Sequence, residues 1–301
     1  MNKLAQETLA VPKKRLRAKA HRRVSRSRAG NFLMFLFLFV CASFTALPMV
    51  YAVTTAFKPL DELWRFPPHI LIVNRPTTKN FTDLVSVMSN SWVPFSRYIF
   101  NSFFITAVGT AGNVIFASMA AYPLAKKQFP GAGPFFQLIV TSLMFTPAVT
   151  AIPSFIVMSK LGWIDTYAAL IVPAFGSTMG LYLIRQFMVG VPDAVLEAAR
   201  IDGAHEWRIF WRIVMPQVKP AWLTAMIFSV QGLWNSGSSS FIYKEQLKTL
   251  PYALSSIVSG GIARAGVGAA ATVVIMVVPI LIFMFAQNNI VETMASSGIK
   301  E

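Results

Sequence analysis

Uncharged stretches divide this sequence into candidate elements. Between successive Asp, Glu, Lys or Arg residues, six gaps reach the length of at least about 18 residues that a helix needs to cross a bilayer. They are 29–57, 98–125, 128–159, 166–184, 220–243 and 265–291. A seventh gap, 249–263, has 15 residues and holds Pro251, Ser255, Ser256, Ser259, Gly260 and Gly261, which predicts a loop or a short non-spanning helix. The pattern predicts an all-α membrane protein with six transmembrane helices. Pro48, Pro147, Pro153, Pro173 and Pro279 fall inside the gaps and would each kink or interrupt a helix, as packing irregularities or as hinges for gating. Gly176 and Gly180 form a GxxxG pair that lets a neighbouring helix come close.

Composition agrees with lipid as the main solvent: 13% of the residues are charged and 55% hydrophobic, where soluble domains carry roughly 25% charged. The apolar gaps run nearly end to end along 301 residues and leave no room for a soluble catalytic domain. The net charge of +15 is concentrated at the start, where residues 1–30 hold ten of the 27 Lys and Arg against one acid, Glu7. We read 1–30 as a basic cytoplasmic tail that can touch anionic lipid, and 31–301 as one transmembrane domain. No interleaved aromatics or folded reader accompany the cluster, so nucleic acid is not an expected partner. The 29 residues between Arg28 and Lys58 exceed an ordinary signal-peptide core and predict an uncleaved span. Cys41 lies inside it and says little about redox compartment.

With the N-terminus inside, six crossings place 123–132, 185–219 and the C-terminus in the cytoplasm. Lys126 and Lys127 fit that orientation, whereas the outer segment 57–97 carries five basic residues against three acids, so orientation rests on the tail. The six gaps contain no carboxylate of the kind a proton-coupled carrier needs. Gly260, Gly261, Gly266 and Gly268 follow no strand and precede no GK[ST], so they do not predict a nucleotide site. His21, His69 and His205 have no ligand spacing, and neither a metal site nor a catalytic constellation is expected.

The loop 190–219 is patterned. Pro192 and Asp193 suit a helix start, where a missing amide is harmless and a carboxylate meets the positive end of the helix dipole. Gly203 suits a left-handed helix end about ten residues later. A second amphipathic helix follows, with Trp207, Phe210, Trp211 and Val214 at helical spacing, up to Pro216 and Pro220. Ala198 and Ala199 allow close docking, and Glu197 and Asp202 offer charges to a basic partner; the alternative is a surface helix packed on its own domain.

Glu197, Ala198, Ala199, Asp202, Gly203, Ala204, Phe210, Ile213 and Pro216 resemble the EAA motif, EAAxxDGAxxxxxFxxIxLP, of binding-protein-dependent ABC importer permeases. Met215 stands where that pattern has Leu. The resemblance runs from about Asn31 to the C-terminus and is nearest the carbohydrate, maltose-type branch. It is carried also by TTAFKP at 54–59, Asn80 with Phe81, NSFFITAVGT at 101–110, AAYPLAKKQFPG at 120–131, LGWIDTYAALIVP at 161–173 and LIRQFMVGVPDAVLEAARIDGA at 183–204. Trp234 and Asn235 match a recurrent pair, but Ser236, Gly237, Ser238, Ser239 and Ser240 then replace the acidic or aromatic continuation.

The resemblance implies a type I ABC importer permease fold with a cytoplasmic coupling helix, in a multi-pass subunit of a bacterial inner membrane with both termini cytoplasmic. It implies a second homologous permease subunit, two ATPase subunits (homodimer or heterodimer) that bind ATP and Mg, and an extracytoplasmic solute-binding protein delivering a carbohydrate. The chain itself would be non-catalytic and carry no cofactor. Coupling to the ATPase would fall to Glu197, Ala198, Ala199, Asp202, Gly203, Ile213 and Pro216. Asn113, Tyr182, Gln231, Trp234 and Asn235 are candidate path-lining groups, since sugars favour aromatic faces and amides, although such residues equally mediate helix packing. The alternatives are an ion-coupled secondary carrier of a small solute and a non-transporting scaffold.

Overall fold

The computed structural model describes residues 28–66, 69–89, 92–236, 240–258 and 264–297. Most of the basic tail, His21, the serines at 238–239, Gly237, Gly260, Gly261 and the last residues 298–301 lie outside the described residues. Packing separates two compact units, one up to Met49 and one from Val50. The first consists of the start of α1 (Arg28–Ala56), an uninterrupted apolar helix in which Phe35 and Phe39 stack at 6.4 Å.

In the second unit, α2 (Lys79–Ser89) precedes the central helix α3 (Phe95–Lys126), against which much of the unit packs. At one end of α3, Tyr98 joins Leu84, Met88, Val93, Leu250, Leu254 and Ile257 in a buried cluster. At the other, roughly 36 Å along the helix at 1.5 Å per residue, Ala117, Ala121 and Tyr122 enter a second cluster. Small residues admit neighbours between these ends: a Cβ on Gly112 would fall 2.0 Å from the Phe175 ring.

The third uncharged gap is not one straight span. It forms α4 (Ala132–Ser142) and α5 (Pro147–Lys160), bent by 109°. Pro147 cannot donate to the preceding turn and has its φ fixed for a helix start, so it opens a new helix after extended Thr146 instead of kinking an old one. The fourth gap forms α6 (Ala168–Phe175) and α7 (Thr178–Val189), with Ser177 capping α7 by accepting from the Gly180 amide. Gly176 ends α6, so the GxxxG pair does not share one helix face, and only Gly180 makes a tight approach, with its Cβ position 3.0 Å from Asn113 Oδ1.

Helix α7 continues through Arg185, beyond the uncharged gap. Its guanidinium lies 3.8 Å from the centroid of the Phe136 ring, which lets a cation occupy a helix that charge counting had ended. After α8 (Asp193–Ile201) and α9 (Glu206–Gln217), α10 (Lys219–Trp234) has 16 residues and stops well short of 243. Helices α9 and α10 meet at 80°. The expected short non-spanning helix is α11 (Leu250–Val258), and α12 (Ala265–Ser297) closes the unit against α2, α10 and α11.

Among the described residues, four segments are long and apolar enough to cross a membrane: 29–56, α3, 168–189 and 265–285. Counting each bent pair, α4 with α5 and α9 with α10, as one span brings the number to six.

Candidate functional site

The loop after α7 folds by local rules. Pro192 precedes α8 in extended backbone, Asp193 occupies its first turn, and the helix runs nine residues. At its end the Gly203 amide donates to Arg200 O at 3.0 Å and the Ala204 amide to Ala199 O at 2.9 Å, with Gly203 at φ +79°. This is the double-bonded helix terminus that needs a left-handed residue. The expected boundaries at Pro192 and Gly203 are those observed.

Helix α8 has a buried and an exposed face. Leu196 and Ala199 are buried in the cluster around Tyr122, while Ala194, Glu197, Ala198, Ile201 and Asp202 point outward. The two alanines of the motif therefore divide: Ala199 docks the helix on its own domain and Ala198 is open to a partner. Ile201 is 86% exposed, which sequence reading passed over although it completes the 194, 198, 201 helical stripe. In α9, Ile209, Phe210 and Val214 face inward, with a π turn over Phe210–Val214. Trp207 and Trp211, expected on that same apolar face, are exposed instead, because Ile209 takes the inward position. Ile213 is half-buried against the cluster and Pro216 is exposed.

Ionic contacts fasten this loop to the end of α3. Lys126 Nζ lies 2.8 Å from Asp193 Oδ1 and donates to Val191 O at 2.5 Å, with its side chain 4% exposed. Glu206, at the start of α9, accepts from Lys127 Nζ at 2.6 Å, Tyr122 Oη at 2.8 Å and Arg200 Nε at 3.0 Å. The Lys127 ammonium first, and then the Tyr122 and Arg200 donors, hold the Glu206 carboxyl down at about 2. Sequence reading noted Lys126 and Lys127 as an orientation signal; the structure gives both a pairing role. Their partners lie 63 to 79 positions away, so spacing carried no cue.

The five candidate path residues do not converge. Asn113 is buried and donates to Ala174 O at 2.6 Å; Trp234 is buried, donates to Ile275 O at 3.0 Å and meets the Phe103 ring edge-on. Tyr182 is half-buried in a parallel stack with Phe136. Gln231 is half-buried and Asn235 exposed at the end of α10. A cavity of about 480 Å³ between α3, α10 and α12 includes Trp234 but none of the other four, and its walls expose no polar surface. Such a cavity offers hydrophobic contact and no hydrogen bonds to a sugar.

Residues 113–295 match the family described as binding-protein-dependent transport system inner membrane component. The chain belongs to that family, as the resemblance over 197–216 led us to expect. Among curated relatives, Protein LplC of Bacillus subtilis is 34% identical over 208 residues, 69% of this chain and 68% of that one. The arabinooligosaccharides transport system permease protein AraQ of Halalkalibacterium halodurans is 28% identical over 257 residues, 84% of this chain and 90% of that one. The polygalacturonan/rhamnogalacturonan transport system permease protein YtcP of Bacillus subtilis is 26% identical over 292 residues, 91% and 99% of the two chains. The fold matches a subunit in the crystal structure of a bacterial ABC transporter involved in the import of the acidic polysaccharide alginate, with a TM-score of 0.75 at 20% identity, covering 87% of this chain and 98% of that one.

Proposed function

We infer that this protein is one of two membrane-spanning subunits of an ATP-driven importer and passes a carbohydrate, an oligosaccharide, from an extracytoplasmic binding protein to the cytoplasm. The observation that carries the inference is the two-faced helix α8. Its inner face, Leu196 and Ala199, is packed into the same cluster as Tyr122, while Ala198, Ile201 and Glu197 are free for another protein. A stiff element fixed on one side and open on the other transmits a push. Family membership and relatives named for arabinooligosaccharide and polygalacturonan/rhamnogalacturonan transport support the cargo class.

In this reading α8 is the coupling helix, Glu197, Ala198, Asp202 and Gly203 belong to its docking end, and Ala199, Ile213 and Pro216 shape the support beneath it. ATP and Mg sit in the two ATPase subunits, since no Walker sequence occurs in this chain. Closure of the ATPases moves α8, and the clamps at Lys126 and Glu206 carry that displacement into α3, the helix on which much of the domain packs. The second permease subunit supplies the other half of the path. Both termini and the 190–219 loop face the cytoplasm. The test is uptake of labelled oligosaccharide by vesicles holding the whole complex and its binding protein. ATP-dependent uptake is expected; uptake driven by an ion gradient without ATPase subunits would establish a secondary carrier instead.

A further inference from the structure

Helix α9 turns into α10 through 80°. If α10 crosses the bilayer, α9 must lie nearly parallel to the membrane surface, which rests on the transporter reading above. Its inward side, Ile209, Phe210 and Val214, is packed in the domain. Its other side carries two ridges of i, i+4 neighbours, Trp207 with Trp211 and Arg208 with Arg212. Together with His205 these four side chains line a shallow concavity on the surface.

The chemistry of that facet differs from the rest of the loop. Lys126, Lys127 and Arg200 are all committed to carboxylates. Among the described residues, neither Arg208 nor Arg212 has an ion-pair or hydrogen-bond partner, and no acidic side chain lines the concavity. Trp207 is 55% exposed, and its indole lies edge-on to Trp211 at 5.9 Å. Trp207 also borders Met119 of α3. Met119, Phe116 and Ile115 form an exposed apolar strip on that helix, so the indole stands where the apolar surface gives way to charge. Indoles at that level and unpaired guanidiniums beyond it suit the glycerol and phosphate layer of a bilayer.

We propose that the Trp207, Arg208, Trp211 and Arg212 facet binds the headgroup of an anionic phospholipid in the cytoplasmic leaflet. The guanidiniums hold the phosphate and the indoles rest against the glycerol and upper acyl region. Lipid held there braces α9 against the membrane while α8 is displaced.

The test uses the assembled complex in bilayers of phosphatidylcholine alone or of equal parts phosphatidylcholine and phosphatidylglycerol. Phosphatidylglycerol retained after detergent extraction is measured by mass spectrometry. Arg208→Gln with Arg212→Gln should weaken retention by about 25-fold, about fivefold for each surface charge, and remove any stimulation of ATP hydrolysis by phosphatidylglycerol. Arg208→Lys with Arg212→Lys keeps the charge and should retain the lipid; equal loss in the lysine and glutamine pairs overturns the assignment. Unchanged lipid retention with release of the ATPase subunits would also overturn it, making the facet a protein contact. Failure of the parent complex to couple ATP to uptake is a separate result that contradicts the transporter reading.

Discussion

Lys126, the last residue of α3, and Asp193, the first residue of α8, meet at 2.8 Å although their exposures are opposite: the lysine side chain is 4% exposed and the aspartate 76%. The lysine also satisfies the Val191 carbonyl. Its removal therefore strands a buried acceptor, whereas Asp193→Asn alters a solvated group, keeps a side-chain oxygen and leaves the buried lysine its carbonyl acceptors at Val189 and Val191. Lys126→Met should lower stability by roughly 2 kcal/mol, and Asp193→Asn by less than about 1 kcal/mol. Thermal unfolding of the two variants in one detergent checks the asymmetry.

Glu206 gathers three donors, Tyr122 of α3, Lys127 just after it and Arg200 of α8, so Glu206→Gln should loosen the loop without emptying its core. Uptake is expected to fall by about tenfold or more, while ATP hydrolysis without binding protein persists, which is a loss of transmitted displacement. The pH dependence has a definite sign. The carboxyl is held at about 2, below its ordinary 4.5, so its contribution is complete above that ordinary value and disappears as pH falls from there through about 2. Between about pH 5 and pH 8 Glu206 should add no slope to coupling. A step in coupling within that window that vanishes in Glu206→Gln would contradict the assignment.

Gly203 sits at φ +79° with open space around the Cβ position, so a substitution acts through backbone conformation and not through a clash. Gly203→Val should cost roughly 1–2 kcal/mol locally and reduce recovery of ATPase subunits, whereas Gly203→Asn, which tolerates the left-handed region, should largely spare both. Co-purification ratios of the two variants provide the comparison.

Within the bundle, Gly112→Ala drives a methyl group against the Phe175 ring that packs on it. The expected result is destabilisation by roughly 1–3 kcal/mol. Phe175→Leu in the same chain should recover part of the loss, as measured by thermal unfolding.

Some of this architecture could be read from local chemistry, and some depends on contacts that leave no local mark. Pro192, Asp193 and Gly203 act within a few residues of themselves, which is why both ends of α8 were legible. The uncharged gaps located the long apolar segments, but α3 begins at Phe95 and includes Arg97, because a charge near a span end can reach the polar interface. The 109° bend between α4 and α5 lies in Leu143, Met144, Phe145 and Thr146, where no charge interrupts the sequence and only Pro147 gave warning. Asn80 and the TTAFKP stretch were recognised separately; in the fold the Asn80 amide donates to Ala56 O at 2.8 Å and Lys58 O at 2.7 Å, which joins them. The Glu206 clamp has no such cue. The polar candidates for a sugar path were chosen by residue type, and the buried ones, Asn113 and Trp234, donate to backbone carbonyls of other helices, Ala174 O and Ile275 O.

The most direct test of the central claim is ATP hydrolysis stimulated by the loaded binding protein in a reconstituted complex carrying Ile201→Asp. Ile201 is 86% exposed and supports no internal packing of consequence, so the variant should insert and unfold like the parent. The account predicts loss of the stimulation and of uptake, with the ATPase subunits dissociating more readily. Unchanged stimulation and uptake would contradict it, because the outward face of α8 would then not be where the ATPase acts on this chain.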